Sequence, residues 1–197
     1  MQTITIPIPS GVKGLIFDLD GTILDSMLLH HEGYNHALAP YGIDYPKDVF
    51  ESRGGIPTKD TMRMIEKDYQ IKDFDIEQAL EMKRLFVESN LDKIQLISPV
   101  FEIIKDYQNK LPMAVGTGSN RKVVDELFER FNLSKYITHV VTATEVAQYK
   151  PHPETFLKCA ELINVDPVDC VVFEDGKPGI QAAKTAGMKV VDVTKYL

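Results

Sequence analysis

Hydrophobic positions follow two different patterns in the two halves of the chain. An apolar run over residues 12–18 reads as a buried strand and ends in the turn-like sequence Asp18-Leu19-Asp20-Gly21-Thr22. No strong strand signal then appears until about residue 111. The intervening spacing predicts helices over 28–38, 58–69 and 76–88, punctuated by Pro40, Gly42, Pro46, Gly54, Gly55 and Pro57. The third helix is preceded by Asp75 with Gln78 three residues on, a capping-box spacing in which each residue satisfies a free N–H of the other.

From Pro99 the pattern alternates: helix to about 110, strand 113–116, helix 121–131, strand 138–142, helix 154–163, strand 170–173, helix 179–185 and strand 189–193. These short Val- and Ile-rich strands suit a parallel sheet covered by helices on both faces. The expected fold is α/β: a doubly wound, Rossmann-like parallel sheet formed by residues 1–26 and 96–197, with an inserted α-helical cap over 27–95. Ligands of such sheets bind beyond the carboxyl ends of the strands, so the residues following each strand carry the candidate chemistry.

Composition narrows the choice. With 44% hydrophobic and 26% charged residues the chain is an ordinary globular protein, and its net charge of −7 argues against a broad nucleic-acid or anionic-membrane surface. A small anionic metabolite is still admissible if positive charge is concentrated locally. Cys159 and Cys170 have no redox spacing and read as buried structural thiols. The first 14 residues lack a basic region followed by an apolar core, and nowhere do 18 apolar residues run together, so a cytoplasmic protein, and a monomer, is expected.

Four strand ends remain to be weighed. At the first, a period of two puts Asp18 and Asp20 toward one side, although an Asx-turn would use the same residues. At the second, Thr117-Gly118-Ser119-Asn120 runs into a helix, which reads either as a plain N-cap or as a hydroxyl and backbone N–H groups converging on an anion. Lys150 follows the third, where a solvated lysine is the ordinary alternative, and the acidic pair Glu174-Asp175 closes the fourth. Their complementarity at one sheet edge favours a site: four carboxylates for a hard divalent ion such as Mg2+, with Lys150 and Thr117 for phosphoryl oxygens.

These motifs, with GLIFDLDGTILDS, MAVGTGS, YKPHPETF and FEDGKPGIQAAKTAGM around them, resemble the haloacid dehalogenase superfamily over the whole chain, and within it the sugar-phosphate phosphatases and β-phosphoglucomutases, especially the fructose-1-phosphate/6-phosphogluconate phosphatases. The resemblance implies that Asp18 is the nucleophile and Asp20 the general acid/base. It further implies that Thr117, Gly118, Ser119 and Lys150 hold phosphate, and that Asp18, the Asp20 main-chain carbonyl, Glu174 and Asp175 bind Mg2+. Ser26 corresponds to a hinge, and His30 to a cap position facing the site. Thr58 stands where a mutase grips a second phosphate with arginine, favouring a phosphatase for small phosphomonoesters over a mutase, although Arg53 and Lys59 lie nearby. Gly176-Lys177 stands where many relatives have a serine after the acidic pair, which adds a cation near the site unless Lys177 points to water. A phospho-accepting signalling domain is the alternative from another class, disfavoured by Asp20 and by the insertion; Asp20 likewise speaks against a dehalogenase.

Overall fold

The structure is a computed structural model that describes residues 6–197; the expectations for residues 1–5, in the core and as part of the N-terminal segment, lie outside the described residues. Strand β1 (Gly14–Phe17) enters the centre of the sheet. The chain then leaves through β2 (Leu24–Asp25) and returns through β3 (Gln95–Leu96), an antiparallel pair matching Leu24 to Leu96 and Asp25 to Gln95. Between them lie α1 (Met27–Leu38), α2 (Lys47–Ser52), α3 (Thr58–Tyr69) and α4 (Ile76–Glu88). After α5 (Ser98–Tyr107) come β4 (Met113–Gly116), α6 (Arg121–Arg130), β5 (His139–Val141), α7 (Glu154–Leu162), β6 (Cys170–Glu174), α8 (Lys177–Thr185) and β7 (Lys189–Asp192). The five-stranded sheet has the order β5-β4-β1-β6-β7 with every pairing parallel.

Side-chain alternation explains why the central strands are apolar throughout. Leu15, Phe17, Val171 and Phe173 pack on one face with Ile103, Ile104, Val124 and Leu127 of α5 and α6, and the Phe17 and Phe173 rings stack 4.8 Å apart. Ile16, Ala114 and Val172 face the other way, against Phe156 and Cys159 of α7 and Ala182 and Ala183 of α8. Both cysteines are buried and free, as read from the sequence. The inserted helices have an apolar cluster of their own, built on Tyr34, Leu38, Tyr45, Phe50, Met62 and Ile65.

The predicted helices over 58–69 and 76–88 and the predicted strand over 113–116 have the observed bounds, and the other predicted elements differ by one to a few residues at their ends. Two features were not anticipated. The β2–β3 pair is two residues long on each side, and α2 is a six-residue helix that buries only Phe50; neither is long enough to develop a period. The capping box at α4 is half formed. Asp75 accepts from the Gln78 N–H at 2.9 Å, but its own N–H donates to the Tyr41 hydroxyl, which reaches it from across the insertion at 3.3 Å.

Candidate active site

Three carboxylates and a lysine meet at the carboxyl edge of the sheet. The Asp18 N–H continues the β1–β6 ladder to the Phe173 carbonyl at 3.0 Å, which holds the Asp18 side chain beside the end of β6. Lys150, 2% exposed, extends from the segment after β5 along the face of Phe156, its Nζ 4.5 Å from the ring centroid. The Nζ donates to Asp18 Oδ1 at 2.5 Å and to Glu174 Oε1 at 2.9 Å. Asp175 accepts from the Thr22 hydroxyl at 3.1 Å. One oxygen of each of Asp18, Glu174 and Asp175 lies within 4.8 Å of the others.

Burial raises the proton affinity of Asp18 well above the ordinary carboxylate range; Lys150 opposes the change, while Glu174 and Asp175 add to it. Asp175 is pushed up to about 7, again by burial first and by the Glu174 charge second. Lys150 is affected oppositely: burial works against its charge, but Asp18 and Glu174 more than restore it, so it stays protonated. Dry, crowded oxygen donors of this kind suit a hard divalent cation, which relieves the repulsion that otherwise favours protonation.

The expectation of four clustered carboxylates is corrected at Asp20, whose carboxylate turns away from the other three. Strand β1 stops at Phe17, so the period of two no longer governs the direction of Asp20. Gly21 adopts φ of 85° and the N–H groups of Ile23 and Leu24 converge on the Leu19 carbonyl, closing a tight loop. Asp20 Oδ1 therefore accepts from Ser26 Oγ at 2.7 Å and meets His30 Nε2 at 3.1 Å, and its Oδ2 accepts from Ser119 Oγ at 2.7 Å. Burial alone would raise the pKa of Asp20; the His30 charge, with the hydrogen bonds from His30, Ser119 and Ser26, holds it well below the ordinary range.

Glycines set close approaches here. A Cβ on Gly179 would lie 1.7 Å from Glu174 Oε1, so only glycine in α8 lets that carboxylate occupy its place. A Cβ on Gly118 would lie 2.8 Å from the Gly55 carbonyl oxygen, because the loop between α2 and α3 sits directly over the loop after β4. In that lower loop Asn120 makes the cap of α6, accepting from the Val123 N–H at 3.1 Å. Thr117, Gly118 and Ser119 are left to line the cavity. The Ser119 N–H is already bonded to Thr117 Oγ1, at 3.0 Å.

The cavity has a volume of about 500 Å3. Asp18, Asp20, Glu174 and Asp175 form its floor, while His30, Tyr34, Thr58, Thr61 and Lys83 contribute to its roof. The sequence-predicted residues thus converge, with Lys150 behind Asp18 and with His30 and Thr58 opposite. The exposed Lys177 is at the rim. Sequence reasoning missed Lys83, Tyr34 and Thr61. Lys83 Nζ lies 3.4 Å from both His30 Nδ1 and Thr58 Oγ1 and 4.6 Å from the Tyr34 ring centroid. Burial pushes it down to about 8 against the opposing charge of Asp20. Thr61 Oγ1 is buried beside the Tyr34 hydroxyl without a well-formed hydrogen bond among the described residues. One signal was available: Lys83 falls midway between the buried Ala79 and Val87, on the apolar stripe of α4.

A second hollow, of about 520 Å3, lies at the opposite edge of the sheet, bordered by the surface pair Lys13–Asp169. Among the described residues it holds no comparable cluster. Among the described residues no helix is long and apolar enough to cross a membrane.

Fold and cluster together place the molecule among enzymes that work at the carboxyl edge of a doubly wound sheet. The chain belongs to the haloacid dehalogenase-like hydrolase family, whose sequence profile matches residues 15–193. It is 38% identical over 183 residues to fructose-1-phosphate phosphatase YqaB of Escherichia coli, covering 91% of this chain and 95% of that one. It is 33% identical over 182 residues to a phosphorylated carbohydrates phosphatase of Thermotoga maritima, covering 90% and 83%. Among solved structures, a β-phosphoglucomutase from Clostridium difficile superposes with a TM-score of 0.80 at 26% identity, over 91% of this chain and 83% of its own.

Proposed function

We propose that this chain, a phosphoric monoester hydrolase of the haloacid dehalogenase superfamily, releases phosphate from small sugar phosphates through an Asp18 phosphoester, with Mg2+ as cofactor. The observation that carries the reading is Lys150 bridging Asp18 and Glu174 beside Asp175, at the floor of a cavity whose roof presents hydroxyls and one buried cation. The names of the phosphatase relatives support a sugar as leaving group. Residues 27–95 act as the cap and residues 1–26 and 96–197 as the core in this proposal.

Asp18, Glu174 and Asp175, with the Asp20 main-chain carbonyl, would hold Mg2+, which when bound neutralises phosphoryl oxygens and polarises phosphorus. The chain's own residues do the rest. Lys150 orients Asp18 and offsets negative charge as an Asp18 oxygen forms a bond to phosphorus and the bond from phosphorus to the sugar oxygen breaks. Asp20 gives its proton to that leaving oxygen; a phosphate dianion arriving nearby favours the protonated form needed for this. In the second half the ionised Asp20, the form that its contacts to Ser26, His30 and Ser119 favour, takes a proton from water as the water oxygen attacks phosphorus and Asp18 departs. Thr117, Gly118 and Ser119 steady the phosphoryl oxygens. Thr61 and Lys83, together with Tyr34, Thr58 and His30, read the hydroxyls of the leaving sugar.

A mutase reading draws on the likeness to β-phosphoglucomutase, but Thr58 offers a second phosphate no guanidinium clamp, and Lys83 beside it supplies a single ammonium rather than two parallel donors. Phosphate release from a panel of sugar phosphates with Mg2+ tests the proposal. Hydrolysis lost in Asp18→Asn supports it. A chain that releases phosphate from none of them, or converts glucose 1-phosphate to glucose 6-phosphate without net phosphate loss, contradicts it.

A further inference from the structure

Arg53 borders the cavity, yet its guanidinium is already occupied. It is 12% exposed at the end of α2, with one terminal nitrogen paired to Asp68 of α3. The other donates to the Tyr45 hydroxyl at 3.3 Å, and the guanidinium carbon lies 5.9 Å from the centre of the Tyr45 ring. A guanidinium is the group best shaped to grip a phosphate with two parallel N–H donors. The other cations of the insertion near Thr58 do not replace it. Lys59 points outward to Glu77 at 2.5 Å, and Lys83 lies deep between His30 and Thr58.

We propose that Asp68 is a specificity-determining positioning residue: by holding Arg53 against Tyr45 it denies the leaving group a second phosphate clamp and sets the cavity for monophosphates over bisphosphates. The proposal rests on the sugar-phosphate reading above. Asp68 is itself 46% exposed and outside the cavity, so Asp68→Asn removes the ion pair with little cost to packing. Released, Arg53 can turn toward a phosphate on the far end of a bound sugar.

The test is equilibrium binding of fructose 1-phosphate and fructose 1,6-bisphosphate to the full chain with Mg2+ in an Asp18→Asn background, which does not turn the ligands over, with and without Asp68→Asn. The expected result is a gain of roughly 10-fold or more for the bisphosphate relative to the monophosphate. The double variant Arg53→Gln with Asp68→Asn should lose that gain, which separates release of Arg53 from a general change in charge. An unchanged ratio overturns the proposal. So does weaker bisphosphate binding in Asp68→Asn, which would mean that Asp68 aims Arg53 at the ligand. Phosphate release by the wild type, measured alongside, tests the sugar-phosphate reading separately, because the binding ratio needs no turnover.

Discussion

The floor and the roof of the cavity are built on opposite rules. On the floor, Lys150 is shared between two acids and Asp175 has its threonine, so each of these side chains has a hydrogen-bond partner in place and the excess negative charge is left for a cation. On the roof, the hydrogen-bond partners of Lys83 are His30 and Thr58 with no carboxylate among the described residues, and Thr61 has no well-formed hydrogen bond for its hydroxyl. A matched floor preserves one geometry for one reaction. An unmatched roof carries a cost that only an incoming ligand can offset, and such places give discrimination.

The largest expected effect is on the floor. Asp18→Asn should lower kcat by about 10^4-fold or more, several kcal/mol of barrier, while circular dichroism shows the fold retained. Gly179→Ala should come next. Its methyl group would displace Glu174, so Mg2+ affinity measured by titration should fall about 10- to 100-fold, with a smaller loss at saturating metal.

Roof substitutions should separate function from stability. Lys83→Met should raise KM about 10-fold or more and also raise the melting temperature, because it removes a buried cation without an acidic partner. The sign follows from the lowered pKa. The full cost of holding Lys83 charged is present below pH about 8 and is relieved as pH rises from there toward 10.5, so wild-type stability should climb across that window, by up to about 3 kcal/mol. The Lys83→Met variant should lack that climb in denaturant titrations. Substrate affinity should fall over the same window, as the amine facing His30, Tyr34 and Thr58 loses its charge. The smallest effect belongs to Thr61→Val, which should raise KM only a few-fold and leave stability equal or slightly higher, since it deletes a hydroxyl without a well-formed hydrogen bond, worth about 1 kcal/mol. A roof variant that lowers kcat as much as Asp18→Asn would erase the distinction between the two surfaces.

The same contrast explains what could be read from the sequence. Asp18, Glu174 and Asp175 terminate strands whose apolar runs are visible, and a parallel sheet brings successive strand ends together whatever the helices do. Lys150 and Thr117 were legible only in that company. The direction of Asp20 was not, because the strand ends at Phe17 and a turn, rather than the pleat, aims the side chain. The roof was less legible still. Thr61 and Lys83 come from α3 and α4, and Arg53 meets Asp68 across 15 residues, so their meeting depends on how the inserted helices pack. Lysine on an apolar stripe was the single clue. His30 was visible only through the resemblance, and its contact with Asp20 gives it a place in the site.

The central claim is that Asp18 becomes phosphorylated and Asp20 brings in the water that releases it. Asp20→Asn should still form the ester from p-nitrophenyl phosphate with Mg2+, because that leaving group needs no proton, but should hydrolyse it slowly. Rapid acid quench followed by peptide mass spectrometry is the direct measurement. The account predicts about one p-nitrophenol released per chain in a burst, with one phosphoryl group on the peptide carrying Asp18. A phosphoryl group on a different residue, or steady turnover without any labelled peptide, would contradict it.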